Sequence, residues 1–200
     1  MTQTQPGAPA SAPDAAPTPG GRTAAHLRTR TYSWADPRPG LERLPVTSGL
    51  DLLRAMQAGE VAAPPLAATL DFADFLAVGE GEVDVTLVPA EHHLNPLGSV
   101  HGGVLAALLD TAAGCAVHTT LPAGTGYTSL DLATRFLRPV TPATGLVRAQ
   151  GRVLVRGSRT ATAEARLLDS SGRLLAHATS TCLVFPIPSG TRPGGGSPDA

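Results

Sequence analysis

Residues with chemical potential concentrate in one stretch, His92-His93-Leu94-Asn95-Pro96-Leu97-Gly98-Ser99-Val100-His101-Gly102-Gly103, followed seven positions later by Asp110. Gly102 and Gly103 fall where a polar loop gives way to an apolar, Ala- and Leu-rich run. Glycine at such a junction lets a ligand approach the backbone N–H groups closely. The first turn of a helix adds partial positive charge. Together these features suit an oxygen that develops negative charge during a reaction. Asp110 sits inside the apolar run itself. A carboxylate there is costly unless it is hydrogen-bonded or paired, so it has either a structural partner or a chemical task. Residue types alone leave both open.

The elements that must position these residues can be read from periodicity. Val104 to Leu121 is helical in character, carries no internal proline and stops at Pro122. Its apolar residues lie on nearly all faces, which predicts a helix buried on most sides. Asp110 near its middle argues against a membrane span. Ahead of it, Leu50 to Gln57 reads as a short helix, Leu70 to Val78 as a strand, and Glu80 to Val88 as a half-buried strand with Val83, Val85 and Leu87 on one face. After it come Thr128 to Leu137, Leu146 to Val155, Thr160 to Leu168 and Leu174 to Phe185. The turns at Gly157-Ser158 and Ser170-Ser171-Gly172 are short, so the strands they join are antiparallel. This order predicts an α+β architecture, the hotdog fold, in which a curved antiparallel sheet wraps around one long central helix. The sheet has edges to hide, which predicts a homodimer or homotetramer.

Composition sets the limits of the folded body. Residues 1 to 48 are rich in Pro, Ala, Thr and Gly, and are expected to form a largely disordered extension in which only Tyr32-Ser33-Trp34 has the character to dock. Residues 49 to 185 are the expected domain, and 186 to 200 a loose tail. The formal charge of −1 and the 4% aromatic content leave neither a basic stripe nor stacking platforms for nucleic acid. Met1 to Gly21 lacks the basic start and apolar stretch of a secretory signal. The two cysteines, Cys115 and Cys182, lie in apolar runs and read as buried, reduced thiols. The expectation is a cytoplasmic protein with no membrane association. His92, His93, His118 and His177 show no metal-ligand spacing and are taken as structural, with no metal.

The segment from Asn95 to Asp110 resembles the signature of hotdog-fold acyl-CoA thioesterases of the phenylacetic-acid-degradation type. Asn95, Gly98, His101, Gly102, Gly103 and Asp110 match it residue by residue. Phe136-Leu137-Arg138-Pro139 is similar to the strand ending of the same family. The resemblance covers Leu50 to Phe185. It implies hydrolysis of a small aryl- or acyl-CoA, with no cofactor, since coenzyme A is part of the substrate. It implies that the Gly102 N–H donates to the thioester carbonyl, that Asn95 helps hold the carbonyl or water, and that Asp110 activates water or attacks directly. It further implies that Ser129, with Thr128 as the near alternative, positions the water, and that the site is shared between subunits.

Each residue also has a plainer reading. Asn95 before Pro96 is a natural turn former, His101 is suited to bracing the loop, and Ser129 reads equally as an ordinary strand hydroxyl. Arg156-Gly157-Ser158-Arg159 is a basic turn whose arginines and Ser158 suit coenzyme A phosphates, or form a solvated hairpin tip. A hotdog hydratase would carry Asp-x-Asn-Pro-x-His, but here His93 and Gly98 occupy the Asp and His positions. A non-catalytic acyl-CoA-binding regulator would need no helix carboxylate, and no helix-turn-helix pattern precedes the domain.

Overall fold

The computed structural model describes residues 27 to 187. The chain divides at Thr31 into two units, and the fold below belongs to the unit from Tyr32 onward. The expected disorder of residues 1 to 26 and of the last thirteen residues lies outside the described residues.

Three short helices come first: α1 (Arg38–Arg43), α2 (Gly49–Gln57) and α3 (Pro65–Leu70). Strands β1 (Phe72–Gly79) and β2 (Glu82–Leu87) follow, then the long helix α4 (Gly102–Thr119). Strands β3 (Thr125–Phe136), β4 (Val147–Arg156), β5 (Thr160–Leu168) and β6 (Leu174–Pro186) complete the chain. All six strands form one antiparallel sheet in the order β1-β2-β4-β5-β6-β3. The strand that follows α4 therefore crosses to the far edge, and the sheet curls around the helix between. This is the hotdog arrangement.

The seating of α4 follows from small side chains. Ala149, Ala163, Ala165 and Ala178 are fully buried in the three strands that carry the middle of the sheet. Beside them, a Cβ placed on Gly151 would come within 2.0 Å of the Ala112 carbonyl oxygen. Only glycine lets the helix backbone approach so near. Leu105, Leu108, Leu109 and Val117 on the helix are buried against this surface, each contributing about 1.5–3 kcal/mol. By length and composition α4 could cross a membrane, yet half of that stretch is buried inside the fold, as befits a core helix.

Two departures from the sequence reading matter. Regular structure begins ahead of the boundary expected at residue 49, with α1 at Arg38–Arg43. This helix and α3 are single six-residue segments opened by proline, too short to show an apolar period. The sequence of β4 alternates through Val147, Ala149, Gly151, Val153 and Val155, but a bulge between Val153 and Val155 slips the pairing with β5 and breaks the pattern. Val155 consequently faces outward and is exposed.

Candidate active site

Asp110 projects from the middle of α4 into a cavity of about 510 Å³. Its Oδ1 accepts a hydrogen bond of 2.9 Å from the Ser129 hydroxyl. Ser129 stands two residues beyond Tyr127, another lining residue, so strand alternation puts both on the same face of β3; a register slip follows directly, between Ser129 and Asp131. Thr128, the near alternative, is exposed and lines the same cavity, but Ser129 is the residue bonded to the carboxylate. Much of the cavity wall is apolar: Leu52, Leu53 and Met56 from α2, Phe72 and Phe75 from β1, and Leu41 from α1.

The glycine pair stands at the other end of the exposed helix face. His101 is the N-cap of α4. Its Nδ1 accepts from the Gly103 N–H at 2.9 Å, so the ring proton sits on Nε2. The His101 carbonyl accepts from Val104 and Leu105. Of the first four helix N–H groups, three are thus engaged within the turn, and that of Gly102 is left to face outward. A Cβ on Gly102 would lie 3.2 Å from the Phe136 ring. Asn95 is tied into its own loop: its Oδ1 accepts from the Leu97 and Ser99 N–H groups at 2.9 and 3.3 Å. Its Nδ2 donates to the Ser99 hydroxyl at 3.0 Å. Asn95, Gly102 and the run Phe136-Leu137-Arg138-Pro139 line a second hollow, of about 310 Å³.

The sequence-derived site is therefore split. Asp110 and Ser129 lie in one hollow, Asn95 and Gly102 in another. Gly102 and Asp110 are eight residues apart on one helix, which separates them by about 12 Å along its axis at 1.5 Å per residue. Gly103 is exposed and its N–H is consumed by His101. Arg156, Ser158 and Arg159 are exposed at the β4–β5 turn and line neither hollow. Register places Thr160 opposite Leu183, and Leu183 opposite Thr128. The basic turn is thus two strands, about 10 Å, from the Ser129 end of β3.

Sequence reading did not single out the inner end of the larger cavity. Cys115, His118 and Tyr127 line it. Burial pushes the Cys115 thiol up to about 12 and carries the Tyr127 hydroxyl well above its usual range. The same cause lowers His118, favouring neutral imidazole. The Tyr127 ring stands 5.5 Å from that of His118. Helical spacing carried a signal: positions 110, 114 and 118 share one face of α4. His93, by contrast, is purely a brace, accepting from the Ala90 N–H at 3.0 Å and donating to the Leu70 carbonyl at 2.9 Å.

A six-stranded antiparallel sheet wrapped on one helix, with a carboxylate at mid-helix and a glycine-opened helix start, defines a hotdog-fold protein of the acyl-thioester-handling kind. Residues 97–176 match the model of the thioesterase superfamily. The chain is 34% identical to a phenylacetic acid degradation-related protein, a thioesterase candidate, from Ralstonia eutropha JMP134. That match has a TM-score of 0.60 and covers 66% of this chain and 98% of that one. It is 30% identical to the TT0310 protein of Thermus thermophilus (TM-score 0.55; 60% and 97% covered). A 24% identical protein of Streptococcus mutans, solved bound to acetyl-CoA, shares the fold (TM-score 0.52; 57% and 89% covered). No curated protein matches the sequence. The chain belongs to the thioesterase superfamily.

Proposed function

We propose that the protein hydrolyses the thioester of a small aryl- or acyl-CoA to the free acid and coenzyme A, with Asp110 and Ser129 as the water-activating pair. The observation that carries this reading is the 2.9 Å hydrogen bond from Ser129 to Asp110 at the mouth of a mostly apolar cavity. Asp110 takes a proton from water as it attacks the carbonyl carbon, or attacks that carbon itself to form a mixed anhydride that water then hydrolyses to the free acid. The Gly102 N–H and the helix terminus behind it stabilise the oxyanion, and the C–S bond then breaks to release the CoA thiol. The exposed Arg156 and Arg159, with Ser158 between them, meet the phosphates of coenzyme A.

One chain cannot present both Asp110 and its own Gly102 to the same carbonyl, since about 12 Å of helix separates them. The reaction therefore uses Asp110 of one copy and the Asn95–Gly102 hollow of a second, in a homodimer or homotetramer. β3 is a sheet edge with Leu130 and Phe136 exposed, which supports pairing there. The acetyl-CoA held by the Streptococcus mutans protein supports a CoA ester as ligand. The two free thiols fit the reducing cytoplasm.

The test is turnover. A panel of aryl- and alkyl-CoA esters, followed by release of free CoA thiol, should contain at least one ester hydrolysed by the wild type and not by Asp110→Asn. A panel with no turnover by the wild type, at concentrations where the esters bind, leaves a binding module instead of an enzyme.

A further inference from the structure

We propose that the larger cavity is built for an acyl group bearing a neutral hydrogen-bonding substituent at its far end, and that the His118 imidazole reads that substituent. This rests on the thioesterase reading above and narrows its substrate.

The argument begins with the face of α4. Asp110, Gly114 and His118 follow one another at i, i+4 and i+8 and so line up along the helix. Gly114 contributes no side chain between them. In its place lies the Tyr127 ring, whose Cε2 and hydroxyl would each be 2.8 Å from a Cβ at that position. The floor of the cavity thus runs from the Asp110 carboxylate, past the Tyr127 ring, to His118. At 1.5 Å per residue the run is about 12 Å long.

His118 is the polar group at the end of that run. Its imidazole takes no hydrogen-bond partner among the described residues. No buried side-chain nitrogen or oxygen among them is left unsatisfied. The ring nitrogens are therefore open to the cavity rather than sealed in the core. The apolar walls contributed by Leu52, Leu53, Met56, Phe72 and Phe75 offer these nitrogens nothing to bond, and none of the polar lining residues hydrogen-bonds the ring. A purely hydrocarbon acyl group would strip these nitrogens of water and return nothing. A hydroxyl or carbonyl at the right depth would accept from the protonated ring nitrogen, and a hydroxyl would alternatively donate to the bare one. Sites that hydrogen-bond a substituent discriminate strongly against the analogue that lacks it.

Two features set the class of substituent. Burial keeps the imidazole neutral, so it offers no charge to balance a carboxylate. An extended chain advances about 1.2 Å per bond, so about ten bonds separate the reacting carbon from the group that His118 meets.

The experiment compares decanoyl-CoA with 10-hydroxydecanoyl-CoA, whose hydroxyl oxygen lies about ten bonds from the reacting carbon, on the full-length protein. For the wild type, kcat/KM should favour the hydroxylated ester by tenfold or more. His118→Leu should abolish that ratio, and His118→Gln, which keeps a donor and an acceptor, should retain part of it. The ratio within each variant cancels any general loss from altered packing, and thermal melts confirm folding. The same pair as non-hydrolysable CoA thioethers, measured by calorimetry, gives the ratio as Kd values. If esters bind but none turns over, the thioesterase reading fails while the thioether ratio still decides the role of His118. A wild-type ratio near one, a ratio unchanged in His118→Leu, or preference for the ω-carboxylate analogue overturns the proposal.

Discussion

The Ser129 hydroxyl donates to Asp110 Oδ1 at 2.9 Å, joining the first half of β3 to the middle of α4. The bond holds one carboxylate oxygen and leaves the other free to face the cavity. Asp110→Asn should keep the shape and lose the base, lowering kcat by roughly 10²- to 10⁴-fold. Ser129→Ala should cost less, roughly 10- to 100-fold, the scale of one hydrogen bond to a charged group. Both variants should melt near the wild type. A well-folded Asp110→Asn protein with near-normal kcat would return this pair to a structural role.

Gly102 and Phe136 meet at the second hollow. A methyl group on residue 102 would sit 3.2 Å from the Phe136 ring, and that ring is half exposed and can swing aside. Gly102→Ala should therefore leave the melting temperature within a few degrees while lowering kcat/KM by tenfold or more, since the displaced ring and added methyl crowd the N–H. Pairing it with Phe136→Leu should recover part of the loss. Equal activity in Gly102→Ala and wild type would remove this N–H from the mechanism.

The edge of β3 exposes Leu130 at 59% and Phe136 at 50%. If copies pair along it, Leu130→Glu should shift the protein toward monomer in sedimentation velocity and abolish turnover together. A monomer that retains full activity would contradict a shared site.

Gly151 and Ala112 set the distance between sheet and helix. Gly151→Ala drives a methyl into the Ala112 carbonyl, 2.0 Å away, and neither backbone has room to yield. Overpacking of this kind costs about 1–3 kcal/mol and sometimes more. Chemical denaturation should show at least that loss. Stability equal to wild type would mean that the helix can lift from the sheet at no cost.

Both thiols should resist modification in the native state. Burial pushes Cys115 up to about 12 and raises Cys182 as well. With a pKa near 12 the thiolate fraction at pH 8 is about 10⁻⁴. A disulfide reagent at pH 8 should titrate neither thiol until guanidinium is added, and both afterwards. Rapid native-state labelling of Cys115 would show that the cavity opens far more widely than its walls imply.

The central helix, the strands flanking it and the stretch from Asn95 to Asp110 were legible because each rests on local pattern. An apolar run without proline makes a helix, alternation makes a strand, and a glycine pair at a helix start makes an open N–H. Single-residue consequences of register were not legible. The β4 bulge that turns Val155 outward, and the crossing of β3 that brings Ser129 over Asp110, depend on how elements meet. Helices α1 and α3 escaped because six residues are fewer than two turns. Most of all, Asn95, Gly102 and Asp110 lie close together along the sequence, whereas within one chain the tertiary structure divides them between two hollows. Proximity in sequence is stretched along a rigid helix at 1.5 Å per residue. The inner cavity has the same origin: Tyr127 closes on Gly114 and leaves His118 open only once β3 has crossed to the far edge of the sheet. That placement is long-range and no local pattern encodes it.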